Sequence, residues 1–322
     1  MNNSQFLSKC TADAIGKAAS QLIAGHLVAF PTETVYGLGA DASNPEAIRR
    51  VYEVKGRPMD HPLIVHISSM HLLDVWASNI PEYAIKLARD FWPGPMTLVL
   101  KRSSEARDVI TGGQDSVAIR VPSNPIALSL LQTFESKGGK GIAAPSANRF
   151  GQVSPTSSQD VISELANYLI EGDLILEGGK CDVGIESTII DCSNATPKIL
   201  RPGAITKEML EGSTEMYESE NSLSHIRVSG ALEKHYAPRA RVILDQSPQS
   251  GQGFIALSSF PTPEGVIRIA SPIDIVEFAQ ILYESLRKAD ILELKEVVVS
   301  QPTGNGLAIG VRDRLKKASK GR

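Results

Sequence analysis

The stretch Pro31-Thr32-Glu33-Thr34-Val35-Tyr36-Gly37-Leu38-Gly39-Ala40-Asp41 decides how the remainder of the chain is read. It follows the apolar run 27–30, which predicts a short buried strand. Pro31 has no N–H for a ladder and ends that strand. Thr32, Glu33 and Thr34 then crowd polar side chains at the strand end, and Gly37 and Gly39 let backbone pass close to a neighbour. A strand end, then hydroxyls, then glycines is how an open α/β sheet presents a ligand site at the carboxyl edge of its strands. From this stretch alone an ordinary loop of turn residues fits equally well. The surrounding chain decides between the two.

Working outward, helices are expected over 11–24 and from Pro45, where Asn44 is the N-cap and Gly56 with Pro58 the stop. Strands are expected at 63–67, 97–101, 117–121, 142–144, 174–176, 187–191 and 198–200. Further helices open at Pro81 and Pro125 and run over 159–168, the last with Ser158 as cap. Strands come singly and in groups between helices, which predicts a twisted mixed sheet flanked by helices. Composition turns polar and acidic at Gly212. Residues 1–211 therefore read as one α/β domain, 212–239 as a linker with one functional island, and 240–322 as a small Rossmann-like α/β domain. In that last part strands are expected at 242–244, 253–257, 266–270 and 296–299. A helix over 273–288 carries Ile275, Phe278, Ile281, Leu282 and Leu286 on one side, and a final helix runs over 307–317.

Composition narrows the function. The 322 residues carry a net charge of −3, so no global basic field advertises nucleic acid. Cys10, Cys181 and Cys192 are too widely spaced for a disulfide framework or a zinc site and fit a reducing, cytoplasmic setting. The start, 1–9, has no signal-peptide core, and no apolar run is long enough to span a membrane.

Hydroxyls and cations recur at the expected strand ends. Lys55 and Arg57 flank a glycine at a helix C-terminus, a place the helix dipole favours for cations and also a good polyphosphate clamp. His61 and His66 flank 62–65 without carboxylates or thiols at metal-ligand spacing. Arg120 lies in an apolar run, with Ser116 four residues before it, and a charge there needs a partner. A ligand carboxylate suits its guanidinium fork. Ala144 leads into Pro145-Ser146-Ala147-Asn148, Ser154 begins Ser-Pro-Thr, Ser187 opens a strand and Arg201 closes one. Each alone is an ordinary turn residue. Strand ends at one sheet edge can nonetheless converge on one pocket. No Walker A sequence and no Gly-x-Ser-x-Gly elbow is present, and Gly304-Asn305-Gly306…Gly310 stands too late to be a dinucleotide fingerprint.

These pieces together resemble a known family. Pro31-Thr-Glu-Thr-Val-Tyr-Gly-Leu, Lys55-Gly-Arg-Pro, Pro62-Leu-Ile-Val-His-Ile, Trp92-Pro-Gly-Pro-Met-Thr, Ala118-Ile-Arg-Val-Pro, Ala144-Pro-Ser-Ala-Asn, Ser154-Pro-Thr, Glu186-Ser-Thr-Ile, Leu200-Arg-Pro-Gly and His235-Tyr-Ala-Pro stand in the order found in the long, two-domain threonylcarbamoyl-AMP synthases, whose catalytic part is a YrdC-like domain. The tail from Gly304 to Leu315 resembles the end of that family's second domain. His61 stands where the family often has Asn.

The resemblance implies synthesis of L-threonylcarbamoyl-AMP from L-threonine, bicarbonate or CO2 and ATP. Pyrophosphate is released, and the product goes to the machinery that makes threonylcarbamoyladenosine in tRNA. It implies that Thr34, His66, Arg120, Ser187 and the backbone of Ala144 hold L-threonine. Arg57, His61, Ser116, Ser146, Ser154, Arg201 and Tyr236 would hold ATP, with Lys55 and Arg57 as the catalytic cations. Mg2+ would enter on the ATP phosphates, with no metal ligands from the protein. Two other functions compete. One is carbamoyl-adenylate transfer in hydrogenase maturation, whose acylphosphatase and zinc-finger modules have no counterpart here. The other is a plain RNA-binding module, against which the net charge weighs.

Overall fold

The structure, a computed structural model, describes residues 3–214, 226–230 and 235–321. The acidic linker stretch 215–224 and Lys234 lie outside the described residues.

Ten strands of the first part are β1 (Leu7–Lys9), β2 (Val28–Phe30), β3 (Gly37–Asp41), β4 (Ile64–His66), β5 (Met96–Lys101), β6 (Ser116–Arg120), β7 (Ile142–Ala143), β8 (Leu174–Glu177), β9 (Thr188–Asp191) and β10 (Lys198–Arg201). They form one mixed sheet in the order β1-β8-β2-β3-β7-β4-β6-β5-β9-β10. Four more, β11 (Arg241–Leu244), β12 (Gly253–Ile255), β13 (Ile267–Ala270) and β14 (Glu296–Val299), form a parallel sheet in the order β11-β14-β12-β13. The fold is the α/β arrangement the patterning predicts, a large mixed sheet with a small parallel one.

The opening stretch differs from a simple loop. Residues 31–36 form the turn, and Gly37–Asp41 returns as β3, antiparallel to β2 with Phe30 opposite Gly37. Its glycines reflect close packing in a strand. A Cβ on Gly39 would lie 2.7 Å from Ile142 Cγ2 and 2.8 Å from Phe30 Cε1. Ser157, and not Ser158, caps the helix Ser158–Leu165, because Asp160 completes a capping box with it. Helix Pro45–Lys55 obeys its signals: Asn44 Oδ1 accepts from the Glu46 and Ala47 amides, and Gly56 at φ 61° stops it.

Strand ends meet at one edge of the large sheet. β4 and β6 run parallel with His66 opposite Arg120, and β5 and β9 run parallel with Met96 opposite Thr188. Because β5 is antiparallel to β6, the end of β6 and the start of β9 lie at the same edge. A second core, from Phe278, Leu282, Tyr283, Val311 and Leu315, extends across the boundary to Val35 and Ile185 of the first part.

Candidate active site

At that edge lies a cavity of about 50 Å3. Its wall includes Thr32, Thr34, Arg57, His66, Arg120, Ala144, Ser146, Glu186, Ser187, Arg201, Ser229, Gly230, His235 and Tyr236.

The Arg120 end is held by the sheet. Arg120 does not wait for a ligand carboxylate without a partner, as its apolar setting predicts: Glu33 stands beside it, with Nη2 2.6 Å from Oε1. Both groups are buried, and neither of these two atoms makes a well-directed hydrogen bond. Arg120 Nη1 donates to Thr34 Oγ1 at 2.9 Å, and Nε to the Gly94 carbonyl at 3.3 Å. Thr34 Oγ1 also pairs with Thr32 Oγ1 at 2.8 Å. Ser187 Oγ shares a hydrogen bond with Thr97 Oγ1 at 2.7 Å. The Ala144 N–H is committed to the Ile64 carbonyl at 2.9 Å, leaving its carbonyl as the backbone group it can offer. His66 is fully enclosed, and burial, reinforced by Arg120, lowers its pKa to about 3, so the ring stays neutral. Its Nδ1 has no hydrogen-bond partner among the described residues.

The opposite end is cationic. Arg57 Nη2 donates to the Pro62 carbonyl at 2.8 Å and to Ser229 Oγ at 3.2 Å. Arg201 donates through Nε and Nη2 to the Ser187 carbonyl, through Nη2 to Ser187 Oγ at 3.1 Å, and through Nη1 to the Ser229 carbonyl at 2.8 Å. Burial lowers the pKa of both, that of Arg57 to about 10. Among the described residues neither has a carboxylate within ion-pair distance, although both are buried. A buried charge without a counter-charge is costly. Two side by side in a cavity wall make an anion site.

The linker closes this end. Tyr236, at φ 61°, stacks on Tyr283 with ring centroids 5.6 Å apart, and the His235 ring meets it edge-on at 4.1 Å. Tyr236 Oη and His235 Nδ1 have no hydrogen-bond partner among the described residues. Burial holds His235 neutral, with its pKa lowered to about 3.

Four residues expected at the site stand off the cavity wall. Lys55 is buried outside the cavity wall, and its Nζ donates to the Ser146 carbonyl at 2.6 Å and the Asn148 carbonyl at 2.5 Å. It ties the 145–148 turn to helix Pro45–Lys55, and burial pulls its pKa well down. Ser154 Oγ donates to Glu186 Oε1 at 2.6 Å, behind the wall. The His61 ring packs edge-on against Phe150 at 5.3 Å. Ser116 lines a separate niche of about 10 Å3 with Ile64, Val228 and Ser229. Ser146, by contrast, does line the cavity.

Sequence reading missed the pairing of Glu33 with Arg120 behind the wall, and missed Glu186 as a wall residue. Glu33 had a signal, since a carboxylate directly between the turn hydroxyls Thr32 and Thr34 could have been matched to the unpaired Arg120. Glu186 had none beyond its place beside Ser187.

Residues 20–203 match the family model described as "Telomere recombination", the Sua5/YciO/YrdC model. Residues 205–320 match "Threonylcarbamoyl-AMP synthase, C-terminal domain". The chain is 39% identical to a Pyrococcus abyssi protein named threonylcarbamoyl-AMP synthase, over 94% of this chain and 93% of that one. It is 36% identical to a Bacillus subtilis protein of the same name, over 96% and 93%. The solved structure of P. abyssi Sua5 complexed with L-threonine superposes with a TM-score of 0.85 at 37% identity, covering 98% of this chain and 96% of that one. By name these relatives are enzymes. With one family model covering β2 to β10 of the large sheet and another the small sheet, the chain belongs to the Sua5/YciO/YrdC family, in the two-domain form that ends in the threonylcarbamoyl-AMP synthase C-terminal domain.

Proposed function

We propose that this protein condenses L-threonine, bicarbonate or CO2, and ATP into L-threonylcarbamoyl-AMP and pyrophosphate, a nucleotidyl transfer. The observation that carries the reading is the pair of buried guanidiniums, Arg57 and Arg201, with no carboxylate within ion-pair distance of either among the described residues. Such a pair favours a polyanion. The Arg120 end supports the amino-acid half: a guanidinium with Thr34, Ser187 and neutral His66 around it suits a carboxylate and its neighbouring ammonium or hydroxyl. The relative solved with L-threonine supports the same half.

The chemistry needs positioning more than a strong base. The threonine amine adds to CO2 and loses a proton to solvent, giving a carbamate. A carbamate oxygen bonds to the α-phosphorus of ATP while the bond to the bridging oxygen breaks, and pyrophosphate leaves with the electron pair. Arg120 orients the amino acid, and Arg57 and Arg201 stabilise charge moving toward pyrophosphate. Mg2+ enters as part of the substrate Mg·ATP. The nearby carboxylates are engaged already, Glu33 with Arg120 and Ser123, Glu186 with Ser154, Tyr283 and Arg314. No step is therefore routed through a protein-bound metal.

A cavity of about 50 Å3 holds a water or two. ATP enters when the linker residues 229–230 and 235–236 swing away, and their return excludes water from a labile acyl phosphate. The product is handed to the enzymes that transfer threonylcarbamoyl groups to tRNA, in the cytoplasm. The test is ATP-to-pyrophosphate turnover with mass detection of the adenylate. Turnover that requires threonine and bicarbonate together supports the reading; turnover indifferent to threonine overturns it.

A further inference from the structure

Glu186 lies in the cavity wall beside Ser187, yet the second domain holds its carboxylate. Oε2 accepts from Tyr283 Oη at 2.7 Å and Arg314 Nε at 3.0 Å, and Oε1 from Ser154. Arg314 also donates through Nη2 to the Glu186 carbonyl at 3.1 Å and through Nη1 to the Pro202 carbonyl. One fully buried guanidinium thus bridges the two main-chain segments that carry Ser187 and Arg201. Tyr283 belongs to helix Ile275–Ile291 and Arg314 to helix Leu307–Ala318.

The backbones are pressed together at the same place. A Cβ on Gly184 would fall 2.4 Å from the Ala279 carbonyl oxygen, and one on Gly203 2.6 Å from the Thr188 amide nitrogen. A Cβ on Gly310 would lie 3.4 Å from Gly203 Cα. Helix Ile275–Ile291 therefore bears directly on the main chain at Gly184, and helix Leu307–Ala318 bears through Gly310 on the Ile185 side chain and the Gly203 main chain, which leaves little room to absorb a shift.

We propose that Arg314 and Tyr283 are positioning residues for the active site: they hold Glu186 and the 186–187 and 201–203 main chain so that Ser187 Oγ and the Arg201 guanidinium face the ligand. The second domain then completes the catalytic pocket and does more than anchor the linker. Arg314 also keeps the Glu186 charge engaged. Glu186 already feels Arg201 as well, and without Arg314 it would pull harder on that guanidinium and draw it off the ligand. This inference rests on the proposed function for its substrates, though not for its geometry.

The test uses the full chain with R314Q, R314K and Y283F, and with K316Q on the exposed face of the same helix as control. Hydrogen exchange reads the geometry without any substrate. R314Q should speed exchange of the 186–189 and 201–204 amides at least tenfold while the amides of β4 and β6 stay protected. Pyrophosphate release reads the function: R314Q should raise KM for threonine at least tenfold, R314K should recover part of that, Y283F should cost a few-fold, and K316Q nothing. Unchanged exchange at those amides, or a lower kcat and melting temperature with KM for threonine unmoved in R314K and Y283F, overturns the proposal. Wild-type protein inactive with threonine overturns the proposed function alone, and the exchange comparison then decides the positioning.

Discussion

The two ends of the cavity are built differently. At the Arg120 end, the site is fixed by register: His66 stands opposite Arg120 across β4 and β6, and Thr34 lies on the turn out of β2. Its charges are balanced inside the first domain by Glu33. At the Arg57–Arg201 end, the two cations hold the hydroxyl and the carbonyl of Ser229 in the linker segment, and the roof is Tyr236 and His235. Register costs little to maintain once the sheet forms, so the first end is preorganised for a small ligand. A roof made of linker can leave and return, so the second end suits a large polyanion that must enter, react and depart. Glu186 sits between them and is shared by both domains.

The sharpest way to break this contrast is Arg120→Ala. It leaves Glu33 buried without its counter-charge, which should lower stability by roughly 3–5 kcal/mol. Threonine affinity should fall on the order of 100-fold with little change for ATP. Denaturant unfolding and paired substrate titrations check both, and equal weakening of the two substrates would erase the division between the ends.

Acid should act next, at the shared residue. Burial alone would raise the Glu186 pKa, but Arg314 and Arg201 outweigh it and lower it from 4.5 to about 2. A carboxylate depressed in the fold stabilises above its unfolded pKa, and that contribution is lost as pH falls from 4.5 toward 2. It amounts to about 3 kcal/mol. The acid limb of a stability–pH curve should therefore flatten in E186Q, and a limb of unchanged slope would remove Glu186 from the interface.

Arg57→Ala tests the other end. Turnover at saturating ATP should fall roughly 100-fold, while KM for threonine stays near its original value. A comparable rise in threonine KM would show that the ends are one site. Lys55→Met should differ in kind, lowering stability by about 1–3 kcal/mol through two orphaned carbonyls with ATP affinity preserved.

The smallest effect concerns the roof. His235 is held neutral, its pKa lowered from 6.5 to about 3 chiefly by burial. A base depressed in the docked state disfavours docking as pH drops below its free value. Between pH 6.5 and 5.5 docking of 235–236 should weaken about fivefold, read as a lower hydrogen-exchange protection factor there once the intrinsic pH dependence of amide exchange is divided out. A protection factor independent of pH across that interval would mean that the ring is already wet.

Much of this was legible in the chain. Asn44 with Pro45, the Gly56 stop and the strand-end hydroxyls at Thr34, Ser146 and Ser187 act through neighbours a few residues away, and so are written locally. Arg120 in an apolar run announced a buried charge, and His235-Tyr236-Ala237-Pro238 marked the functional island of the linker. What local pattern cannot carry is the direction of a long side chain or the identity of a distant partner. Lys55 and Arg57 look alike in sequence. One turns to the carbonyls of Ser146 and Asn148 and the other to the cavity, because of contacts with residues that arrive only when the sheet closes. Ser154 and Ser146 are likewise indistinguishable hydroxyls until Glu186 claims one of them. Glu186 itself is separated from Arg314 by 128 positions. Short-range hydrogen bonding and hydrophobic period are properties of the sequence, whereas charge pairing across such a distance belongs to the packed chain alone.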